Sequence, residues 1–370
     1  MDFKLCVPCL LGLEGPISDE LRRLDMANVT AENGRVYFTG DENAVASANI
    51  NLRIGERVLV ELGRFKAETF EELFQGVKAI RWEDIIPRDG AFPVKGYSLN
   101  SKLFSVSDCQ KIIKKAIVER LKSVYGIEWF PETAESYQVQ FSIMKDNVSI
   151  CLDTSGEGLH KRGYRPAHNA APLKETMAAA MVKLSRYRGR DDFADPFCGS
   201  GTIPIEAALI ARNIAPGINR SFSAMNWRIF DRRIWAQARD AARDREFHGN
   251  YNIVGSDIDP KAIAIARENA ERAGVADVIR FEVADAAAFD CRTERGVIVT
   301  NPPYGERIME KEQAEQLYRS FGEAYRKTAN WQLYLLSSHT EFERCFGRTA
   351  DKKRKLYNGM IKCDLFMYLK

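Results

Sequence analysis

The tetrapeptide Asn301-Pro302-Pro303-Tyr304 combines residue types that suit chemistry on an exocyclic amine. The two prolines restrict the backbone and remove two N–H donors, so the carbonyls of Asn301 and Pro302 can face a pocket instead of pairing in a sheet. The Asn301 side chain adds an acceptor, and Tyr304 adds a flat ring. This set suits a planar base: oxygens accept the amine's two N–H bonds, the ring stacks on the base, and the amine's lone pair turns toward an electrophile.

The apolar run before this motif, Gly296 to Thr300, places it at the end of a strand. The run is short, rich in β-branched residues and stopped by the proline pair, which predicts a buried strand. In an open α/β sheet, ligands bind at the carboxyl ends of the strands. An isolated Asn-Pro-Pro-Tyr is also compatible with a turn that only closes a core strand, and the segments before it favour the functional interpretation.

Three earlier segments have the residue types of a nucleoside site. A glycine-rich loop from Asp195 to Thr202 follows a strand and begins a helix, so its backbone can approach a ligand closely. Asp257, at the tip of the next strand, suits the two hydroxyls of a ribose, and Asp285, after the third, can accept from an adenine amine. The dinucleotide fingerprint and a Walker lysine are both absent from this sequence, which predicts an adenosine ligand without phosphate contacts.

Alternating strands and helices from residue 171 onward predict a doubly wound α/β domain that positions these segments. The predicted strands are 192–195, 252–256, 278–283, 296–300 and 332–337, and the predicted helices are 173–187, 203–211, 261–273 and 312–328. A long excursion with Trp227 and Trp235 interrupts the alternation between residues 213 and 251. The Asn358-Gly359 step predicts a hairpin that adds antiparallel strands to a mostly parallel sheet.

Two smaller α+β units precede this domain, with boundaries predicted at 1–62 and 63–155. The first alternates short apolar runs with helices and is ferredoxin-like in pattern. The predicted helices are 14–24, 42–53, 70–80 and 108–125, and the predicted strands are 3–13, 35–38, 57–62, 134–145 and 147–153. Ser107 is the predicted N-cap of the longest helix.

Two clusters of basic residues are candidates for RNA contact. One face of the longest helix has Lys111, Lys114 and Lys115, and a solvated surface and a phosphate-binding surface explain them equally well. The connector, predicted at 156–170, is rich in glycine and proline and contains the second cluster. Its cations and its aromatic ring suit phosphate contact and base stacking, and these residues are Lys161, Arg162, Tyr164 and Arg165.

Composition limits the class of protein. The net charge is +3, but residues 1–153 have 19 basic and 23 acidic side chains, net −4, and residues 154–370 have 35 and 28, net +7. A polyanion would therefore be held by local patches. No apolar run is long enough to span a membrane and no signal-peptide layout begins the chain, which predicts a cytoplasmic protein.

Cysteine and histidine usage gives no indication of a metal site. The eight cysteines are scattered, and the four histidines do not follow Cys6 and Cys9 at zinc-finger spacing. The Cys6-x-x-Cys9 pair is interpreted as a packing feature. We predict that no metal is bound.

Taken together, these motifs resemble those of known enzymes. The segments Asp195 to Thr202, Gly255 to Pro260, Asp285 and Asn301 to Gly305 look like the motifs of class I S-adenosylmethionine-dependent amino-methyltransferases. The connector Leu159 to Arg165, with residues 170–176 behind it, is similar to the THUMP-domain RNA methyltransferases. Within these, the sequence most resembles bacterial guanine-N2 methyltransferases of large-subunit ribosomal RNA. The resemblance covers essentially all 370 residues.

The resemblance implies a fold and a set of site residues. The fold is a Rossmann-like methyltransferase domain at 171–370 behind ferredoxin-like and THUMP domains, with a terminal antiparallel hairpin on a seven-stranded sheet. Asn301, Pro302 and Tyr304 would act on the target amine. The S-adenosylmethionine contacts would be Asp195, Phe197, Cys198, Gly199, Gly201, Thr202, Asp257, Ile258, Asp285, Ala286 and Asn301. A second product is not expected, because only one methyltransferase domain is present.

The implied mechanism is direct SN2 transfer of the sulfonium methyl, which leaves S-adenosylhomocysteine. The substrate would be structured RNA, most simply 23S ribosomal RNA or a ribosome precursor. Alternatives are guanine-N2 methylation of transfer RNA, adenine-N6 methylation of nucleic acid, and a catalytically silent RNA-binding assembly factor. The sequence does not determine the oligomeric state.

Overall fold

Two seven-stranded sheets organise the chain, one in each half. The computed structural model describes residues 2–165, 173–290, 293–304, 311–328, 330–359 and 361–369. The predicted connector therefore lies only partly within the described residues, and Gly305 lies outside them.

The N-terminal sheet is continuous across both predicted small units. Its strands are β1 (Phe3–Pro8), β2 (Ala27–Glu32), β3 (Arg35–Gly40), β4 (Leu59–Lys66), β5 (Val94–Leu99), β6 (Val139–Met144) and β7 (Asn147–Asp153). Their order is β2-β3-β1-β4-β7-β6-β5. Strand β4 pairs with β1 on one side and β7 on the other, so the boundary predicted at 62/63 falls inside a strand.

Apolar residues alternate along these strands and face a shared core on one side of the sheet. The helices that pack there are α1 (Glu14–Arg23), α2 (Glu42–Asn51), α3 (Phe70–Lys78) and α4 (Val106–Tyr125). Asp41 caps α2 through the Ala44 N–H, and Thr69 with Glu72 forms a capping box on α3. The Ser107 cap prediction was wrong, because α4 begins at Val106 and Ser105 precedes it.

The C-terminal sheet has the predicted architecture. Its strands are β8 (Asp192–Asp195), β9 (Ile253–Asp257), β10 (Ile279–Val283), β11 (Arg295–Thr300), β12 (Asn330–Ser337), β13 (Lys352–Asn358) and β14 (Ile361–Tyr368). The order is β10-β9-β8-β11-β12-β14-β13, with β8 to β12 parallel and β14 antiparallel to both neighbours. A mostly parallel sheet ending in an antiparallel hairpin is thus confirmed.

Helices of this half cover the sheet. They are α5 (Glu175–Leu184), α6 (Thr202–Ala211), α7 (Arg233–Arg243), α8 (Pro260–Ala273), α9 (Lys311–Arg326) and α10 (Phe342–Phe346). The excursion between β8 and β9 contains α7 and joins the two halves. Trp227 stacks on Tyr137 with ring centroids 5.1 Å apart and donates to the Ser136 carbonyl at 3.0 Å. Trp227 therefore packs between the two halves of the chain.

Neither a membrane helix nor a metal cluster is present in the part of the chain that the structure describes. No helix there is both long and apolar enough to cross a bilayer. No group of three or more histidine, cysteine, aspartate or glutamate side chains there is arranged to hold a metal ion.

Candidate active site

Four adjacent parallel strands bring the predicted site segments to one edge of the C-terminal sheet. In the strand order β10-β9-β8-β11, the carboxyl ends supply Asp285, Asp257, Asp195 and Asn301 in turn. The order in which successive strands are added to the sheet reverses between β8 and β11. Strands β9 and β10 lie on one side of β8, and β11 and β12 lie on the other. A crevice at such a reversal is where open α/β sheets bind ligands.

The glycine loop between β8 and α6 takes a backbone that favours glycine. Gly199 has φ +50° and Gly201 has φ +82°. The Cys198 N–H donates to the Ser256 carbonyl at 2.9 Å, and the Asn269 side-chain amide donates to the Ser200 carbonyl at 3.0 Å. Asn269 is fully buried and fixes the loop from α8. Sequence reasoning missed it, because an asparagine in mid-helix gives no signal of which loop it will meet.

We expect Gly201→Ala to destabilise the protein by about 1–3 kcal/mol and to weaken cofactor binding. A Cβ at this position would lie 2.9 Å from the Ala266 Cβ and 3.1 Å from the Phe281 ring, in addition to the strained φ. Thermal unfolding and equilibrium binding of S-adenosylhomocysteine measure both effects. Gly15→Ala is the control, since a Cβ there meets nothing within 4 Å, and its melting temperature should not fall. An unchanged melting temperature for Gly201→Ala would contradict the expectation.

Asp195 is a buried carboxyl group with one satisfied oxygen. Its Oδ1 accepts from the Thr300 hydroxyl at 2.6 Å and from the Phe197 N–H at 3.1 Å. Its Oδ2 is buried and has no hydrogen-bond partner among the described residues. Burial raises the pKa of Asp195 to about 7, with the Asp257 charge adding to the shift. Thr300 was not predicted as a site residue, although it directly precedes Asn301.

The other two strand-end acids hold the local backbone and remain accessible. Asp257 Oδ2 accepts from the Gly199 N–H at 3.0 Å, which ties β9 to the glycine loop. Ile258 follows with 69% of its surface exposed, an apolar side chain open to a ring. Asp285 is exposed and caps a short turn of 3₁₀ helix by accepting from the Ala287 N–H at 2.9 Å.

The Asn301 to Tyr304 loop follows β11, and several of its polar groups form hydrogen bonds within the protein. The Tyr304 hydroxyl donates to Asn301 Oδ1, and the Tyr304 ring packs against the core beside the terminal hairpin. The Tyr318 hydroxyl on α9 donates to the Pro303 carbonyl at 2.6 Å. Tyr318 therefore positions the loop, a role with no sequence signal. Stacking of Tyr304 on a target base stays a prediction, since its ring lies against the hairpin here.

The remaining predicted cofactor residues lie on the same loop. Cys198 is buried, and burial holds the pKa of its thiol well above the usual range. Phe197 packs edge-on against Phe321 with centroids 5.2 Å apart. Thr202 begins α6, and Ala286 is buried behind Asp285. The structure thus places every predicted cofactor residue at or just after the carboxyl end of β8, β9, β10 or β11.

The connector was misassigned in part. Arg162 and Tyr164 are 7% and 3% exposed, and both contact Glu206, a fully buried carboxylate on α6. Arg162 also donates to the carbonyls of Leu159 and Arg53. The prediction that these two residues contact RNA is wrong in this structure, because their polar atoms join the two halves of the protein.

Arg165 is also engaged within the protein. Its guanidinium binds both carboxylate oxygens of Glu175, at 2.9 and 2.7 Å, and donates to the Thr202 hydroxyl at 3.3 Å. The side chain is 14% exposed. Arg165 therefore holds the start of α6 beside the glycine loop. Lys161 is exposed and pairs with Glu157 at 2.8 Å, so of the connector candidates it alone remains open to RNA.

We expect Arg162→Met to lower the free energy of unfolding by about 2–3 kcal/mol, because the buried Glu206 carboxylate loses the cation that contacts it and keeps the charge of Arg53 nearby. Burial already raises the pKa of Glu206, so protonation limits the cost. Lys161→Met, next in the chain and exposed, should stay within about 0.5 kcal/mol of the parent. Denaturant unfolding of both variants measures this, and equal stabilities would refute the buried role.

The helix lysines lie beside a surface cavity of about 550 Å³ on α4. Lys114 already has partners within the protein: it forms an ion pair with Glu132 at 2.6 Å, and its ammonium group lies 3.5 Å from the Phe92 ring centroid. Lys111 is mostly exposed and has a loose 3.4 Å contact to Asp108, and Lys115 lies 5.9 Å from the Phe74 ring centroid. Lys111 and Lys115 stay predicted RNA contacts.

A parallel sheet with a reversed-order crevice, a terminal antiparallel hairpin and an Asn-Pro-Pro-Tyr loop at the crevice defines a class I methyltransferase. The chain belongs to the RMKL-like methyltransferase family, whose methyltransferase-domain model matches residues 162–366. An RlmL ferredoxin-like domain model matches residues 4–59, and a THUMP domain model matches residues 67–153. The predicted family and the predicted order of domains are confirmed.

Similar proteins are known from bacteria. "Putative RNA methyltransferase YpsC" of Bacillus subtilis is 46% identical over 99% of this chain and 96% of its own length. "Ribosomal RNA large subunit methyltransferase K/L" of Psychromonas ingrahamii is 34% identical over 98% of this chain, which spans 49% of that longer protein. The crystal structure of "SMU.472, a putative methyltransferase complexed with SAH" is 39% identical, with a TM-score of 0.94 over 100% of this chain and 98% of that one.

Proposed function

We propose that this protein transfers a methyl group from S-adenosylmethionine to the exocyclic N2 amine of a guanosine in 23S ribosomal RNA. The observation that carries this proposal is the placement of Asn301 and Pro302 at the carboxyl end of β11, next to the Asp195 strand end. Acceptors for an amine thereby adjoin the loop that fits the methyl donor.

The described residues fit S-adenosylmethionine. Asp195 Oδ2 and Ser200 Oγ are buried and have no hydrogen-bond partner among the residues that the structure describes, and they are the polar atoms expected beside a ligand's amino-acid portion. A Cβ on Gly199 would meet nothing within 4 Å, so open space lies over the loop backbone. Asp257 would accept from the ribose hydroxyls, Asp285 from the adenine amine, and Ile258 would cover the adenine face. When bound, this cofactor supplies a methyl already activated on a sulfonium.

The protein's residues then have to align the target amine. Asn301 Oδ1 has two lone pairs, so it can accept from the amine while it keeps the bond from the Tyr304 hydroxyl. The Pro302 carbonyl accepts the second N–H, which directs the amine's lone pair along the transfer axis. Alignment of this kind can supply roughly 7–11 kcal/mol of the barrier reduction. No strong base is required, because the amine can lose its proton after the transfer.

The choice of substrate rests on the front half of the chain and on the relatives. A THUMP domain precedes the methyltransferase domain, and two relatives are named as an RNA methyltransferase and a large-subunit ribosomal RNA methyltransferase. The planar acceptor pair suits any base with an exocyclic amine, so adenine-N6 and transfer RNA remain the alternatives that an experiment must separate.

The test is methylation of separate pools of unmodified 23S ribosomal RNA, transfer RNA and DNA with S-adenosylmethionine carrying a labelled methyl. Nucleoside mass spectrometry then identifies the product. Labelled N2-methylguanosine from ribosomal RNA is the expected result. Label in transfer RNA or in N6-methyladenine would overturn the proposed substrate and keep the chemistry. No label from any pool or from ribosome precursors, despite cofactor binding, would overturn the enzymatic assignment.

A further inference from the structure

The N-terminal sheet curls until residues near its opposite edges meet. Arg35 lies on β3, the second strand of the order, and Tyr97 lies on β5, the last. Arg35 Nη2 nevertheless contacts the Tyr97 hydroxyl at 2.9 Å and donates to the Ser142 hydroxyl on β6 at 2.6 Å. The concave face, opposite the helices, therefore closes into a groove with a cavity of about 170 Å³. We call it the Arg35 groove.

The floor of the Arg35 groove is apolar and its walls are polar. Cys6, Tyr37, Leu59 and Cys151 form a small buried cluster on this face, separate from the main core. Gln140, Ser142 and Ser149 line the walls together with Arg35, Arg57 and Tyr97. This arrangement offers hydroxyl and guanidinium donors above an apolar base.

Charge balance singles out Arg35 among the cations of this face. Arg57 pairs with Asp153, and Arg64 pairs with both Glu32 and Glu61. Arg35 forms no ion pair with any carboxylate that the structure describes, and its neighbours are hydroxyl groups. Hydroxyls orient a guanidinium without neutralising it. The groove thus has an oriented positive charge that lacks a counter-ion from the protein.

The carboxylate that lines the same cavity does not supply that counter-ion. Glu56 accepts a hydrogen bond from the Thr176 hydroxyl at 3.1 Å and forms an ion pair with Lys174 at 3.3 Å. His160 Nδ1 lies 3.7 Å from the same carboxylate. These partners belong to the connector and to the start of α5. The carboxylate is therefore already compensated.

The donors of Arg35 also exceed its protein partners. A guanidinium has five N–H donors in a planar fork, and among the described residues its polar neighbours are the hydroxyls of Tyr97, Ser142 and Tyr37 and the thiol of Cys6. A planar fork with spare donors matches the oxygens of a phosphate. Lys95 and Tyr97 are both exposed and lie two residues apart on β5, so their side chains are on the same face of the sheet. A second cation and an aromatic ring therefore flank the mouth of the groove.

We propose that the Arg35 groove binds a phosphodiester of the RNA substrate, with Arg35 contacting the phosphate and Tyr97 stacking on an adjacent base. This inference rests on the RNA substrate proposed above. A cation beside an aromatic ring is the combination that holds single-stranded nucleic acid. Lys95 supplies a neighbouring phosphate contact. The groove lies on the sheet face opposite α4, so it is distinct from the lysine surface of that helix.

The test measures binding of a short fluorescein-labelled oligoribonucleotide to the full-length protein by anisotropy at several salt concentrations. Arg35→Gln should weaken binding about tenfold and lower the slope of log Kd against log salt by about 1, since one phosphate contact is lost. Lys95→Gln, an exposed change that keeps the groove packing, should lower the slope in the same way. Arg64→Gln is the matched control: it lies on the same face but is already paired, so Kd should stay within twofold.

Two competition arms identify the source of the phosphate. Inorganic phosphate and uridine monophosphate are each added to the same binding reaction. Weak competition at millimolar concentration, with the RNA effect of Arg35→Gln intact, supports a site for the RNA chain. Displacement by inorganic phosphate with no effect of Arg35→Gln on RNA binding overturns the proposal, as do unchanged Kd and salt slope in both groove variants.

The RNA-binding test of the Arg35 groove and the methylation test of the proposed reaction can fail independently. Methylation that proceeds on 23S ribosomal RNA while Arg35→Gln and Lys95→Gln bind RNA normally refutes the groove alone. Binding that depends on Arg35, in a protein that methylates no nucleic acid, keeps the groove and refutes the reaction. Circular dichroism and thermal unfolding verify that each variant is folded before its binding is interpreted.

Discussion

Asn301→Ala is expected to lower kcat for methyl transfer about 1,000-fold while Kd for S-adenosylhomocysteine rises about tenfold at most, the effect of one lost cofactor hydrogen bond. The substitution removes the side-chain oxygen that would accept from the target amine. Loss of one preorganised polar contact at a reacting centre typically costs 10²–10³-fold, and the upper end is expected here because the same contact also orients the amine. The Tyr304 hydroxyl, which donates to Asn301 Oδ1, loses its partner as well.

Single-turnover methylation of unmodified 23S ribosomal RNA measures the chemical step without product release. Asn330→Ala serves as the control, since Asn330 is exposed at the start of β12, at the opposite end of the strands from the site. Asn301→Asp adds a second comparison, because it keeps an acceptor while it changes the charge. Full methylation by Asn301→Ala would remove Asn301 from the catalytic residues and move the reaction to another loop.

Strand-end motifs were the part of this site that the sequence determined best. Asp195, Asp257, Asp285 and Asn301 each lie at or just after the end of a short strand, and parallel strands present their carboxyl ends at one edge. Local pattern and topology therefore agree, and no long-range information was needed to group them. The same argument explains why the glycine loop was located correctly.

Contacts between the two halves were beyond sequence reasoning. Arg162 and Tyr164 lie in a segment whose composition matches an exposed basic linker. Both are nevertheless buried and donate hydrogen bonds to Glu206 on α6. A buried carboxylate shows no sequence signal that tells which cation will pair with it. Trp227 is similar, because its partner Tyr137 is distant in sequence. Long-range polar pairing decides such cases.

Polar pairing also connects the N-terminal half to the candidate active site. Arg165 binds Glu175 and the Thr202 hydroxyl at the start of α6, directly after the glycine loop. Glu56, from the N-terminal half, contacts Lys174 and Thr176 on the segment that begins α5. The arrangement fixes the orientation of the N-terminal sheet against the cofactor loop. An RNA held by the N-terminal half would thus meet the site at a defined distance.

The affinity for S-adenosylhomocysteine is expected to fall as pH falls below about 7, because Asp195 must be ionised to bind the ligand's ammonium group. Burial raises the pKa of Asp195 to about 7 in the free protein, so the carboxyl is protonated below that pH. Binding a cation to Asp195 Oδ2 then requires the proton to leave, and Kd rises about tenfold per pH unit below the free-protein pKa. The ligand's own α-amino group stays protonated there, since even the less basic α-amino group of a peptide has an ordinary pKa of about 7.7–8.0.

Asp195→Asn should abolish this pH dependence between pH 5.5 and 7 and weaken binding about 100-fold at pH 7.5. The amide keeps an acceptor for the Thr300 hydroxyl but places a donor where Oδ2 would face the ammonium, and leaving one partner of a buried charge pair alone costs about 3 kcal/mol or more. Asp192→Asn is the matched control: Asp192 begins the same strand, and its Oδ2 is likewise buried without a partner, but it lies at the end away from the crevice. Isothermal titration calorimetry in buffers of different ionisation enthalpy measures both Kd and proton release. Wild-type protein that binds equally at pH 5.5 and 7.5 with no proton release would mean that Asp195 does not contact the ammonium group, and its buried oxygen would then need another partner.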